Sequence, residues 1–279
     1  MLCYARLAAR VIKEILTDDF VLGVTSVDDE LFVLLHRHDT QVTVYSINDY
    51  KLLRHLNVPG FEPDVNNYIT SCVRHKCLYM SDRDNCFIHR YDLANSATSK
   101  WSVSGKPCGL SVTPSGNLLV TCQYPGSSNK LVELNADSGR RMREVVLQSD
   151  VVYPWHSVQL TTGQFVVCHS DGYTKDGLHR VCVVGDDGVV TLSYGGQYGS
   201  EVGQLYGPCH LAVDKGRQVI FVADEWNDRV VLLSPSLEFV RCLSERMPRC
   251  HRLYLHEATR RLFVVTPRTG DRSVTVIKL

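Results

Sequence analysis

Short hydrophobic runs separated by turn residues organise this chain, most clearly between Gly185 and Pro235. Apolar positions run from Val189 to Tyr194, then resume after a Gly-punctuated loop at Leu211, Ala212 and Val213. A turn through Asp214, Lys215 and Gly216 leads to Val219–Ala223, and an Asp/Asn turn at 224–228 leads to Val230–Leu233. Strands this short, bounded by Gly, Asp and Asn, predict antiparallel hairpins. One such unit cannot bury its own faces, so a stable fold needs several.

The unit recurs. Its second strand returns as Leu31-Phe32-Val33, Leu78-Tyr79-Met80, Leu118-Leu119-Val120, Phe165-Val166-Val167, Ile220-Phe221-Val222 and Leu262-Phe263-Val264, at steps of 47, 40, 47, 55 and 42 residues. Counted through the two chain ends, the last interval is 48 residues. Six four-stranded units at this period predict an all-β, six-bladed β-propeller, in which radial repetition leaves only short sheet edges. The outer strand has its own pattern (apolar, basic, any residue, apolar) at Leu53–Leu56, Met142–Val145 and Val240–Leu243, and again at Ile12–Ile15. Because the unit from Cys250 to Leu279 has only three strands of its own, residues 1–17 are expected to supply the fourth and close the ring. The whole chain, 1–279, then reads as one domain. Leu7, Val11, Ile12 and Ile15 also fit a helical stripe, but the outer-strand pattern accounts for Ile12–Leu16 more fully.

Composition narrows the function classes. Lys+Arg and Asp+Glu both number 30, so no net field draws the protein to nucleic acid or membrane. Eleven cysteines are odd in number, scattered and often inside apolar runs, as at Cys77, Cys122, Cys168 and Cys182. Without a CxxC pair, this distribution predicts packed, reduced thiols in a cytoplasmic or nuclear compartment rather than disulfides or a zinc site. The N-terminus carries Arg6 and Arg10 within its apolar part, unlike a signal peptide, and no run approaches a membrane span.

The stretch GDDGVVTLSYGGQYGSEVGQLYGPCHLAVD, followed by VADEWNDRVVLLSP, resembles the NHL repeat: a DG turn, a Gly-rich loop, a Pro before the inner strand, and then strand-Asp-x-x-Asn-x-Arg-strand. The second unit keeps Asp82 and Asn85 but has Phe87 in the Arg position. The resemblance implies a recognition propeller like those of tripartite-motif proteins, which bind proteins or RNA. No RING, B-box or coiled-coil pattern accompanies it here. More distantly, the chain resembles the lyase propeller of peptide-amidating enzymes, which implies a zinc ion held by three histidines in the channel.

Aligning the inner strands places Val24, Thr70, Gly109, His156, His210 and Arg252 at the channel mouth, with His251 as the alternative in the sixth unit. Two histidines and an arginine suit an anion, a carboxylate or a metal; equally, buried histidines can simply bond to backbone. For the lyase reading, His156 and His210 fall in adjacent units, whereas three ligands on a six-fold ring should alternate. Other signatures fail. Ser104-Gly105-Lys106-Pro107 is not a Walker loop, no helix follows Gly195, Gly196 and Gly199, and neither GxSxG nor HExxH occurs. Asp224, Asn227 and Arg229 read as hairpin structure, with Asn in a left-handed turn and Arg paired back to Asp. A basic run, Arg241, Arg246, Arg249, His251, Arg252, Arg260 and Arg261, remains.

The reading is therefore a non-enzymatic, monomeric platform for a protein partner. Its face loops at Arg246, Arg249 and Arg252, beside His156, His210 and His251, form the binding site, with no metal and no cofactor. RNA binding through the same arginines is the first alternative, and a metal-dependent lyase the second.

Overall fold

The structure, a computed structural model, describes residues 9–37, 39, 41–171, 174–243, 247–266 and 272–279. It contains six four-stranded antiparallel sheets. The inner strands are Val21–Val27, Ile69–Cys72, Lys106–Val112, Pro154–Gln159, Pro208–Asp214 and Arg252–His256. Each packs against the next around the ring, the last against the first, so the six sheets close as blades about one axis.

The sixth blade is completed as expected. Strand Arg10–Leu16 pairs antiparallel with Ser273–Lys278, placing Ile15 opposite Val274 and Leu16 opposite Ser273. Thr17 N–H donates to Arg272 O at 2.7 Å, extending the ladder by one residue. The helical alternative at Val11, Ile12 and Ile15 is thereby replaced by a strand. Leu7 lies outside the described residues.

The apolar runs have a simple origin. Along Phe165–Ser170, Phe165 and Val167 pack toward the third blade while Val166 and Cys168 pack toward the fifth. A central strand covered on both faces must be apolar at every position, whereas a strand with one wet face alternates. Six apolar clusters therefore fill the seams between consecutive blades, including one that joins Phe263, Val274 and Val276 of the last blade to Val21, Leu31 and Val33 of the first. The outer strands are mostly exposed, as in Leu52–Leu56.

Antiparallel pairing also sorts the connections. Links from an outer strand to the next inner strand, and links between second and third strands, lie at the end where inner strands begin, called here the upper face. The ten cysteines within the described residues are unbridged. Among those residues no helix is long and apolar enough to cross a membrane.

Candidate functional site on the propeller axis

Inner-strand register decides which side chains meet at the axis. Ser26, Ser71, Val112, Gln159, Val213 and Leu255 pair with the first residues of the repeated second-strand motif. Three positions earlier in each blade stand Gly23, Tyr68, Gly109, His156, His210 and Arg252. This corrects Val24 and Thr70 to Gly23 and Tyr68. The hairpin after the inner strand has two residues between Val27 and Glu30 but four between Cys72 and Cys77, so one sequence frame cannot fit both blades.

A β-bulge precedes the axial position in four blades, where pairing skips Leu22, Cys108, Trp155 and Cys209. A bulge re-aims the following side chain. The result is a stack: the rings of His156 and His210 lie 3.8 Å apart, and Tyr68 is nearly parallel to both, at 6.3 and 5.8 Å. The Arg252 guanidinium lies 3.7 Å over the Tyr68 ring. Glycine leaves the space for this. A Cβ on Gly109 would stand 2.5 Å from Trp155 O and 2.7 Å from His156 Cα.

The stack forms one end of a cavity of about 130 Å³, which continues past Thr70, Leu110, Val158, Ala212 and Tyr254. His156 Nε2 donates to Leu110 O at 3.1 Å, which leaves Nδ1 as a buried acceptor with no hydrogen-bond partner. Leu253 N–H donates to His210 Nδ1 at 3.4 Å. Burial, with Arg252 adding repulsion, brings His156 down to about 4 and His210 well below its ordinary value, His156 also opposing charge on His210. Both imidazoles are therefore neutral at pH 7. Burial drives the Tyr68 hydroxyl upward, and its oxygen, like Arg252 Nε, has no hydrogen-bond partner. The arrangement is one guanidinium with a phenol and two neutral imidazoles in a cavity whose wall mixes apolar side chains with Thr25, Thr70, Ser111 and Tyr254, chemistry suited to a small anion or polar molecule.

Other candidates are distributed differently. Arg252 is only 3% exposed, so it belongs to the axis and not to an exposed loop patch. Arg249 lies flat on Trp226, at 3.4 Å from the ring centre. Arg246 lies outside the described residues. His251 does not reach the axis: its Nδ1 bonds Glu225 Oε2 at 3.1 Å in the seam between the fifth and sixth blades. Among the described residues, then, no third histidine joins His156 and His210. Asp224, Asn227 and Arg229 form the expected knot, with Arg229 Nε and Asn227 Nδ2 each donating to Asp224 Oδ2 at 2.7 Å. The left-handed residue of that turn is Asp228, φ 53°, rather than Asn227. Tyr68 went unrecognised because it precedes its strand. Cys209 and Glu225 went unrecognised because no local motif joins them.

The sequence matches the family described as "Lactonase, 7-bladed beta-propeller" over residues 24–241. The chain belongs to this lactonase family. Its ring nevertheless shows six sheets among the described residues, one fewer than the family description names. The family match covers Tyr68, Gly109, His156 and His210, while Arg252 and the closing strand fall beyond it. No curated protein matches the chain. Among solved structures it is similar to streptogramin B lyase (TM-score 0.64, 11% identity, 97% of this chain and 87% of that one). It is also similar to hydrazine synthase of Kuenenia stuttgartiensis (TM-score 0.66, 15% identity, 93% and 83%). At these identities the likeness concerns the fold of this lactonase-family propeller.

Proposed function

We propose that this propeller is a non-catalytic recognition platform that docks a protein partner on its upper face. The observation that carries the reading is the placement of exposed apolar side chains. Phe20, Val65, Tyr153 and Val202 stand in four different links into inner strands, with Leu16 beside the first. Among the large exposed hydrophobics of the described residues, only Val73 and Val189 occupy turns of the opposite face. Apolar residues on loops, raised from a rigid scaffold, are the usual material of a partner interface. Tyr153 adds a second sign, since it holds a left-handed φ of 42°, a conformation that non-glycine residues adopt sparingly and often at functional positions.

Protein is favoured over RNA because two of the three arginines that the sequence offers for the face, Arg249 and Arg252, are engaged, the third, Arg246, lying outside the described residues. Arg252 covers Tyr68 at the axis, Arg249 covers Trp226, and the chain is neutral overall. The Asp224–Asn227–Arg229 knot, echoed where Asn85 Nδ2 donates to Asp82 Oδ1 at 2.9 Å, supports NHL-type recognition propellers as the nearer functional analogy. Unbridged thiols among the described residues support a reducing, cytoplasmic compartment. A second reading, a small-molecule site in the channel, is favoured by the unpartnered Tyr68 hydroxyl, His156 Nδ1 and Arg252 Nε.

The test is quantitative affinity capture with wild type and a Val65→Asp/Tyr153→Asp/Val202→Asp variant. The variant is expected to lose the specific protein partners of the wild type and keep its melting temperature, because the changed side chains are exposed. An unchanged partner profile, or capture abolished by ribonuclease, overturns the reading. Capture that survives these changes but is lost in Arg252→Met moves the function to the channel.

A further inference from the structure

We propose that Cys209, Glu225 and His251 form a binding site for a zinc-class transition metal in the seam between the fifth and sixth blades. Three separate elements bring them together. Cys209 is the bulged residue of Pro208–Asp214: pairing jumps from Pro208↔Asp224 to His210↔Ala223, and the intervening side chain packs in the seam rather than at the axis. Glu225 opens the short 3-10 turn Glu225–Asn227. His251 precedes the sixth inner strand, fixed by its backbone N–H donating to Val265 O at 2.8 Å.

The donor atoms are close to the geometry a metal requires. The Cys209 sulfur, a Glu225 carboxylate oxygen and an imidazole nitrogen of His251 all lie within 4.8 Å of one another. Around a tetrahedral zinc, with sulfur at about 2.3 Å and nitrogen or oxygen at about 2.0 Å, donors stand about 3.5 Å apart. Closing a gap of no more than 4.8 Å therefore takes at most about 1.3 Å of side-chain movement, and the Glu225–His251 pair is already at 3.1 Å.

The donor types specify the ion. A thiolate with an imidazole and a carboxylate suits zinc, cobalt or copper, whereas calcium and magnesium prefer an all-oxygen shell. Thiolate and carboxylate together balance a divalent charge, so the loaded seam is neutral, which a buried carboxylate favours. Without metal, the Cys209 thiol donates to His251 O at 3.2 Å. Binding therefore breaks this S–H bond and releases one proton to solvent, while the His251 proton moves from Nδ1 to Nε2 if Nδ1 ligates. Of the nearby cations, Arg229 is held by Asp224 and Arg249 lies over Trp226, while Arg252 Nη1 donates at 3.1 Å to the same His251 carbonyl that the Cys209 thiol bonds. Three ligands leave a fourth position for water or an incoming donor.

The experiment is titration of the chelator-treated full chain with Co²⁺ and then Zn²⁺. One equivalent is expected to bind, with a near-ultraviolet thiolate-to-cobalt band, tetrahedral visible bands, and one proton released per metal. Cys209→Ser is expected to abolish the thiolate band, and Glu225→Gln to keep that band while weakening affinity at least about tenfold. His156→Gln leaves both unchanged, separating this site from the axis. Peptide mapping of the unmodified chain keeps the test independent of any variant's folding: bound zinc should shield Cys209 from alkylation more than any other cysteine. Absence of stoichiometric binding, a cobalt spectrum without the thiolate band, or shielding that falls on other cysteines overturns the proposal.

Discussion

Ring closure turns on one side chain. In strand Arg10–Leu16 only Ile15 is buried, at 4% exposure, and it packs among Phe263, Val265, Val274 and Val276 of its own blade and Val21, Val24, Leu31 and Val33 of the first. Ile15→Ala removes three carbons from that cluster. At about 0.8 kcal/mol for each buried methylene the transfer loss is about 2.4 kcal/mol, and incomplete collapse of the cavity brings the expected cost to about 2–4 kcal/mol. Unfolding entropy of about 2.1 cal/mol/K per residue, over 279 residues, converts 3 kcal/mol into a fall in Tm of about 5 °C. Val11→Ala and Leu16→Ala, on the same strand but exposed, should cost less than about 0.5 kcal/mol. Urea denaturation of the three variants separates the cases. An Ile15→Ala cost below about 1 kcal/mol, or an equal cost for Val11→Ala, refutes the view that the N-terminal strand holds the ring through its packed face.

Two further outcomes follow from buried groups. His169 Nδ1 donates to Val152 O at 3.1 Å and its Nε2 accepts from Arg180 Nε at 2.7 Å, so protonation breaks the second bond and sets two cations together. Burial, then Arg180, lowers its pKa to about 3. A depressed folded pKa means that its contribution is intact above the unfolded value near 6.5 and declines as pH falls toward 3. Between pH 7.5 and 5 this histidine alone should lower stability by about 2 kcal/mol; denaturant melts in which His169→Asn has the same pH slope as wild type would contradict it. Gly109→Ala should cost about 1–3 kcal/mol, because its Cβ meets backbone atoms of Trp155 and His156 that cannot swing aside, and a melt indistinguishable from wild type would show the axial stack to be loosely packed.

Much of the architecture was legible because its cause is local. Central strands covered on both faces must be apolar throughout, so Phe165–Cys168 and its counterparts marked six repeats, and the apolar-basic pattern at Ile12–Ile15 marked the closing strand. The pairing of Arg229 with Asp224 was equally local, an interaction within one hairpin. What the sequence left open depends on contacts between blades. Tyr68 was missed for Thr70 because the hairpins after the first two inner strands differ in length, which shifts the sequence frame, and His156 and His210 stack because bulges turn them inward. Arg252 reads both as a channel-mouth residue and as a face-loop cation until the Tyr68 ring from another blade is seen to lie under it. Cys209, Glu225 and His251 converge across a seam from positions without a shared motif. Periodicity follows from the recurrence of apolar central strands and turn residues within each sheet, whereas the site follows from bulges and loop lengths that set how neighbouring sheets meet, and those are tertiary quantities.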